Sequence, residues 1–132
     1  GILPGGGTAF VRAEKAVAKA ADALEDDEAL GAKIVLEALS VPLRTIADNA
    51  GYEGHVVLRA VRKAGKTTGF NAATGDTVDM FEAGVVDPTK VARSALQNAS
   101  SVAALLMSTD TLIADIPEDE HHHDDDGMGA DF

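Results

Sequence analysis

No cysteine and no tryptophan occur in the 132-residue chain. The first absence excludes disulfides, thiolate nucleophiles and cysteine-type zinc or iron–sulfur sites, so any metal would have to be held by His or carboxylate. Aromatics make up only 4% of the residues, too few for an aromatic-lined ligand barrel or a β-sandwich core. The apolar alphabet is mostly Ala, Val and Leu, which suits closely packed helices. Cations are scarce as well, with 11 Lys and Arg against 22 Asp and Glu and a formal charge of -11. Nucleic-acid and anionic-membrane surfaces need clustered Lys and Arg, so the charge argues against both partners. No apolar run approaches the roughly 20 residues of a membrane span, and no basic segment leads into an apolar one as a signal peptide would. The expectation is a soluble intracellular protein.

What is present is enough to fold. An apolar content of 45% supports a real core in one domain or a piece of one. Much of the negative charge lies after Pro117, in Glu118, Asp119, Glu120, Asp124, Asp125, Asp126 and Asp131, which leaves the remainder mildly acidic. The chain opens on Gly1 in a loop-like context, and the expectation is a fragment of a longer polypeptide.

Along the chain, Ile2 and Leu3 read as a strand, and Gly5, Gly6 and Gly7 lead to a helix over 8–24 with Thr8 as its N-cap. Phe10, Ala13, Val17, Ala20 and Leu24 form its apolar face. The acids at 25–28 suit the start of a second helix. Its spacing through Leu30, Ile34, Val35, Leu39, Leu43 and Ile46 continues past Pro42, predicting a kink there and an end at Asn49 and Gly51. "EGHVVLRAVRKAG" predicts a third helix with Val56, Val57, Ala60 and Val61 inward. "TTGFNA" and "DTVDM" predict a hairpin turning at Thr74, Gly75 and Asp76, and "GVV" a further strand fragment. A long helix follows, with Asp87 at the N-cap and Pro88 at its first position. Val91, Ala95, Leu96, Ala99, Val102, Ala103 and Leu106 form its expected buried stripe. "DTLIADIP" reads as a strand needing a partner. Residues 118–132 read as a charged, disordered tail.

Few residues carry chemistry unambiguously. The triple glycine before a helix could present amides to a ligand, or be only a loop. Asp87 could serve a ligand or cap the helix that follows it. Asn71 could offer an amide to a base edge or stabilise a turn. His121, His122 and His123 could hold a divalent metal loosely or sit in a solvated tail, and His55 needs no role beyond surface polarity. No catalytic triad order, carboxylate pair or Walker-type phosphate loop is found.

Taken together, "GILPGGGTAFVRA", "VPLRTIADNAG", "GFNAATG", "GVVDPTKVARSALQNASSVAALLMSTDTLIADIP" and a late "GMG" resemble the C-terminal equatorial segment of a group I chaperonin, the GroEL family. The resemblance spans nearly all of residues 1–117, and the acidic, His-rich tail over 118–132 departs from the family's Gly-Gly-Met ending. It implies a mainly α equatorial domain with a small β-hairpin and a C-terminal strand that pairs with a neighbouring subunit. It also implies a protein-folding chaperone that binds and hydrolyses ATP with Mg2+ and K+ in the complete subunit, in the bacterial cytoplasm or an organelle matrix. The implied partners are the other subunits of a double heptameric ring, and unfolded polypeptide and a co-chaperonin through parts that precede Gly1.

By motif, Gly5, Gly6 and Gly7 resemble the glycine turn beside the ribose, and Asn71 and Ala72 the adenine-side contacts. Val85 resembles the apolar wall of the base and Asp87 the carboxylate that accepts from the ribose hydroxyls. The family's phosphate loop and catalytic aspartates are not matched. The segment alone is therefore expected to be catalytically silent, with no tightly bound nucleotide and no metal ligand. A scaffold module that keeps only the helix faces, without nucleotide chemistry, is the competing class, and a metal-responsive protein built on the His tail is a third.

Overall fold

The computed structural model describes residues 1–116. The elements are β1 (Ile2–Pro4), α1 (Thr8–Ala21), α2 (Asp26–Ala38), α3 (Val41–Asn49) and α4 (Gly54–Lys63), followed by β2 (Thr68–Asn71), β3 (Asp76–Asp79), β4 (Val86–Pro88) and α5 (Thr89–Met107). The fold is mainly helical with two small sheets, as the composition predicts.

The core is assembled from a subset of these elements. Val11 of α1, Leu43 and Ala47 of α3, Val57, Leu58 and Val61 of α4, and Phe70 of β2 pack as one cluster, with Ala72 against it. Burying each large aliphatic side chain contributes about 1.5–3 kcal/mol. α1 and α4 are also joined at the surface, where the Arg62 guanidinium donates to both carboxylate oxygens of Glu14 at 2.9 and 2.8 Å. The Asp48 carboxylate accepts from the Gly54 amide at 2.8 Å and fixes the α3–α4 corner.

Several expected details change. Gly7, at φ +78°, takes the N-cap position of α1, and Thr8 becomes the first helical residue. A Cβ on Gly7 would lie 2.6 Å from the Leu43 nitrogen, so the chain turns into the helix one residue early to pack on α3. The Thr8 side chain is fully buried and its hydroxyl has no partner among the described residues. α1 ends at Ala21 rather than Leu24, closing with turns in which Ala23 and Leu24 donate to Ala20 and Ala21. Its buried contact is Val11, while Phe10, Ala13 and Val17 are half-buried and Ala20 and Leu24 exposed.

The expected kinked helix is two helices, α2 and α3. Leu39 and Ser40 keep right-handed helical angles between them, but Pro42 has no amide to donate back to Ala38, so the ladder breaks. Ser40 instead closes α2 by donating its amide and its hydroxyl to the Glu37 carbonyl. On α4 the buried stripe is Val57, Leu58 and Val61, and Val56 and Ala60 are exposed.

β2 and β3 form the expected antiparallel hairpin, with Phe70 opposite Thr77 and Asn71 opposite Asp76. The "GVV" segment does not join it. β4 pairs antiparallel with β1 at the start of the chain, with Leu3 opposite Asp87 and Pro4 opposite Val86. Pro88 rather than Asp87 occupies the N-cap position of α5, no side chain caps the helix, and the Thr89 amide donates to the Gly1 carbonyl instead. Its expected buried stripe is exposed apart from the half-buried Leu96, and Ala92 is its one buried residue. Residues 110–116 form no strand and are exposed, pairing with none of the described strands. The tail over 118–132, with His121 to His123, lies outside the described residues.

Candidate functional site

The triglycine bend is where three chain-distant segments meet. The Gly5 amide donates to the Val85 carbonyl at 2.9 Å, and a Cβ on Gly5 would come within 3.0 Å of that same oxygen. Through the β1–β4 pairing, Asp87 comes opposite Leu3, two residues before Gly5. On the bend's other side, Gly6 holds φ +62°, and a Cβ there would lie 3.2 Å from the Phe70 carbonyl, the peptide that leads into Asn71. The structure therefore brings Gly5, Gly6, Asn71, Val85 and Asp87 to one region, and Ala72 follows Asn71 with its side chain against the core. Gly7 does not join them, because its backbone lies on Leu43 of α3. A close approach to neighbouring backbone accounts for all three glycines. For Gly7 this contact and its left-handed φ of +78° together are the whole explanation.

The side chains divide by how much of their bonding capacity is spent. The Asn71 oxygen accepts from the Ala73 amide at 3.1 Å, and its backbone carbonyl accepts from Gly75 at 2.8 Å. The turn role is thus realised, and the amide NH2 is the part of Asn71 left for another contact. Asp87 makes no capping bond to α5 and is half-buried, so its carboxylate keeps its accepting capacity. Val85 has both backbone groups occupied, its amide by the Met80 carbonyl at 2.8 Å and its own carbonyl by Gly5. Only its aliphatic side chain remains to make a contact.

Residues that sequence reasoning missed hold this region in place. Arg12 of α1 donates through one terminal nitrogen to the carbonyls of Gly65 (2.6 Å) and Thr68 (2.8 Å), and through Nε to Lys66 (3.2 Å). Desolvation lowers its pKa, and nearby Glu14 acts the other way. A guanidinium stays charged regardless. At the far end of the hairpin, Tyr52 packs edge-on to Phe70 with ring centroids 5.2 Å apart, and its hydroxyl covers Gly75. Asp79 closes β3 by accepting from the Thr67 hydroxyl and from the amides of Phe81 (2.9 Å) and Glu82 (3.1 Å). The Thr67 bond, chiefly, holds its carboxyl below the ordinary value. No periodicity signals Arg12, since its acceptors are backbone carbonyls more than fifty residues away.

The candidate site is an open bend rather than a closed cavity. A groove of about 680 Å³ lies beside α1, lined by residues including Leu3, Pro4, Val11, Glu14 and Arg62. A smaller one of about 480 Å³ lies at the start of α5, among Gly1, Thr89, Lys90 and Arg93. Neither contains a predicted site residue. Among the described residues no group of His, Asp and Glu is placed to hold a metal. An amide donor, an unspent carboxylate and an aliphatic wall suit a sugar with an attached base. Among the described residues no further carboxylate or imidazole joins Asp87 to complete a divalent-cation site.

A profile of the TCP-1/cpn60 chaperonin family matches residues 1–117. The open-state monomer of a group II chaperonin from Methanococcoides burtonii superposes with a TM-score of 0.76 at 28% identity, covering 82% of this chain and 28% of that one. The crystal structure of a group III chaperonin in the open state gives a TM-score of 0.76 at 37% identity, covering 86% of this chain and 24% of that one. The chain thus spans about a quarter of the length of these solved chains.

Proposed function

Because this chain belongs to the TCP-1/cpn60 chaperonin family, we propose that it is the C-terminal equatorial portion of an ATP-dependent chaperone subunit. Residues 1–117 supply the nucleoside side of the ATP pocket and ring-assembly contacts, and 118–132 are an appended acidic tail. The reading is of group I, resting on the "GFNAATG" and "GVVDPTKVARSALQNASSVAALLMSTDTLIADIP" motifs and on Gly127-Met128-Gly129 as a vestige of the family's glycine–methionine ending. The location that goes with it is bacterial cytoplasm or an organelle matrix.

One observation supports this more than any other. The cap that would explain Asp87 without a ligand is not made, although Asp87 pairs with Leu3 on the strand leading into the triglycine bend. In the proposed pocket Asp87 accepts from the ribose hydroxyls, Val85 backs the base, and the Asn71 NH2 reaches the base edge. Gly6 lets the backbone approach the sugar. ATP, when bound with its metal, supplies the free energy difference between ring states. A nucleotide that binds one state better than another shifts the population toward it, which couples this bend to distant polypeptide-binding surfaces. The phosphate and metal contacts belong to other parts of the subunit, and these residues only bind and orient.

Titration of ADP into the full-length subunit tests the reading. Hydrogen bonds to a charged group are worth about 1.5–3 kcal/mol, so Asp87→Ala is expected to weaken ADP by roughly 10- to 100-fold. Unchanged affinity would remove Asp87 from the site and favour the scaffold module.

A further inference from the structure

We propose that Arg12 is a positioning residue for base recognition, acting through the hairpin that carries Asn71; this rests on the nucleotide reading above. Arg12 lies on the first turns of α1, directly after the triglycine bend. Its guanidinium reaches three carbonyls on the segment that enters β2, those of Gly65, Lys66 and Thr68. That segment leaves the C-terminal end of α4, where a cation also complements the helix dipole. Thr68 is the first residue of β2, and Asn71 is its last. One side chain therefore ties the element that begins at the glycines to the strand that ends at the amide.

The placement matters because Met80 and Thr8 pack between the bend and the hairpin, whereas among the described residues Arg12 is the α1 side chain that hydrogen-bonds to the hairpin's entry. A Cβ on Gly6 would touch the Phe70 carbonyl, so bend and strand lie in van der Waals contact, without a backbone hydrogen bond between them. Contact of that kind resists compression but does not stop sliding. A forked donor gripping three carbonyls does. Tyr52 restrains the opposite end, at Gly75, so loss of Arg12 frees the entry strand while the turn stays pinned. Asn71 sits at the pivot, its carbonyl held by the Gly75 amide at 2.8 Å, so its side-chain amide changes angle rather than place. Asp87 sits on the β1–β4 pairing, which meets the hairpin through the Met80 backbone, whose amide donates to Thr67 and whose carbonyl accepts from Val85, and it shifts less.

This separation gives a signature that general destabilisation would not produce. In the full-length subunit, at a temperature well below unfolding, ADP and GDP affinities are measured for wild type, Arg12→Ala, Arg12→Lys and Asp87→Ala. The expectation is that Arg12→Ala lowers the ADP preference over GDP at least fivefold and speeds amide exchange over 68–71, with Arg12→Lys intermediate. Asp87→Ala should weaken both nucleotides together and leave their ratio unchanged. An unaltered ratio in Arg12→Ala, with wild type binding ADP, overturns the positioning role alone. Wild type that binds neither nucleotide overturns the pocket and the positioning role together.

Discussion

Val61 on α4 is fully buried, whereas Leu105 on α5 is 65% exposed, although both are aliphatic residues on amphipathic helices. The difference lies in what each helix has to pack on. α4 meets α1, α3 and β2, and polar ties reinforce the contacts: Arg62 to Glu14, Arg12 to three carbonyls, and Asp48 to the Gly54 amide. α5 touches the rest through β4 and the turn of chain around it, and α2 buries no residue at all. The same apolar alphabet thus builds a self-contained unit around the glycine bend and leaves two helices displaying uncovered faces. The candidate site belongs to the self-contained unit.

The sharpest way to break this comparison is to place the same methyl group in both regions. Gly7→Ala puts a Cβ 2.6 Å from the Leu43 nitrogen and 2.8 Å from its Cα, at a φ of +78°. The obstacle is backbone and cannot swing aside. Left-handed strain and overpacking together should cost roughly 2–5 kcal/mol. Gly31→Ala, inside α2, meets nothing within 4 Å and should gain up to about 1 kcal/mol in helix propensity. Urea denaturation of both variants reads the contrast; equal and small shifts would mean that the bend is not packed against α3.

Some of this division was legible in the sequence and some was not. The hairpin was legible because Gly75 and its neighbours punctuate two short runs of strand formers, although the turn spans 72–75 and Asp76, expected within it, opens β3. The convergence of Gly5, Asn71 and Asp87 was accessible only through the family resemblance, since no spacing reports that Leu3 will pair with Asp87. The face of α4 was missed by one residue. Val56 and Val57 are equally apolar, and the choice between them depends on where Leu43 and Phe70 lie. The α5 stripe misled for a related reason, because periodicity shows which residues want cover without saying whether the chain provides it. Thr8 has the residue type of a cap, yet the approach of Gly7 to Leu43 takes the cap position away from it.

Exposure on α5 and beyond it gives the next test. Leu105, Met107, Leu112 and Ile113 are each more than 60% exposed, and neighbouring apolar side chains left in water favour association between copies. The 132-residue chain on its own is expected to self-associate in sedimentation velocity. Leu105→Ser should reduce the association while shifting the urea midpoint by no more than about 0.5 kcal/mol equivalent, as for an ordinary surface change. A clean monomer, or a large loss of stability in the variant, would show that this face is covered from within.

The smallest expected effect separates the two regions by pH. Asp79 holds its proton less readily in the folded chain than in the unfolded one, because the Thr67 hydroxyl and the amides of Glu82 and Phe81 donate to the carboxylate. A carboxyl with a depressed folded pKa adds stability that is fully present above the unfolded value of about 4. That contribution is lost as pH falls through the lower folded value. The carboxylate is exposed, so water screens it and the contribution is minor, but it is confined to the end of β3. On acidification from pH 7 to 3, amides of β2 and β3 should therefore lose protection, after correction for intrinsic exchange, before those of α4. Asp79→Asn should flatten that acid limb, since an amide side chain accepts weakly at every pH in the range. Loss of protection at the same pH in α4 and the hairpin would show that the strand end has no separate role in holding Asn71 near the glycines.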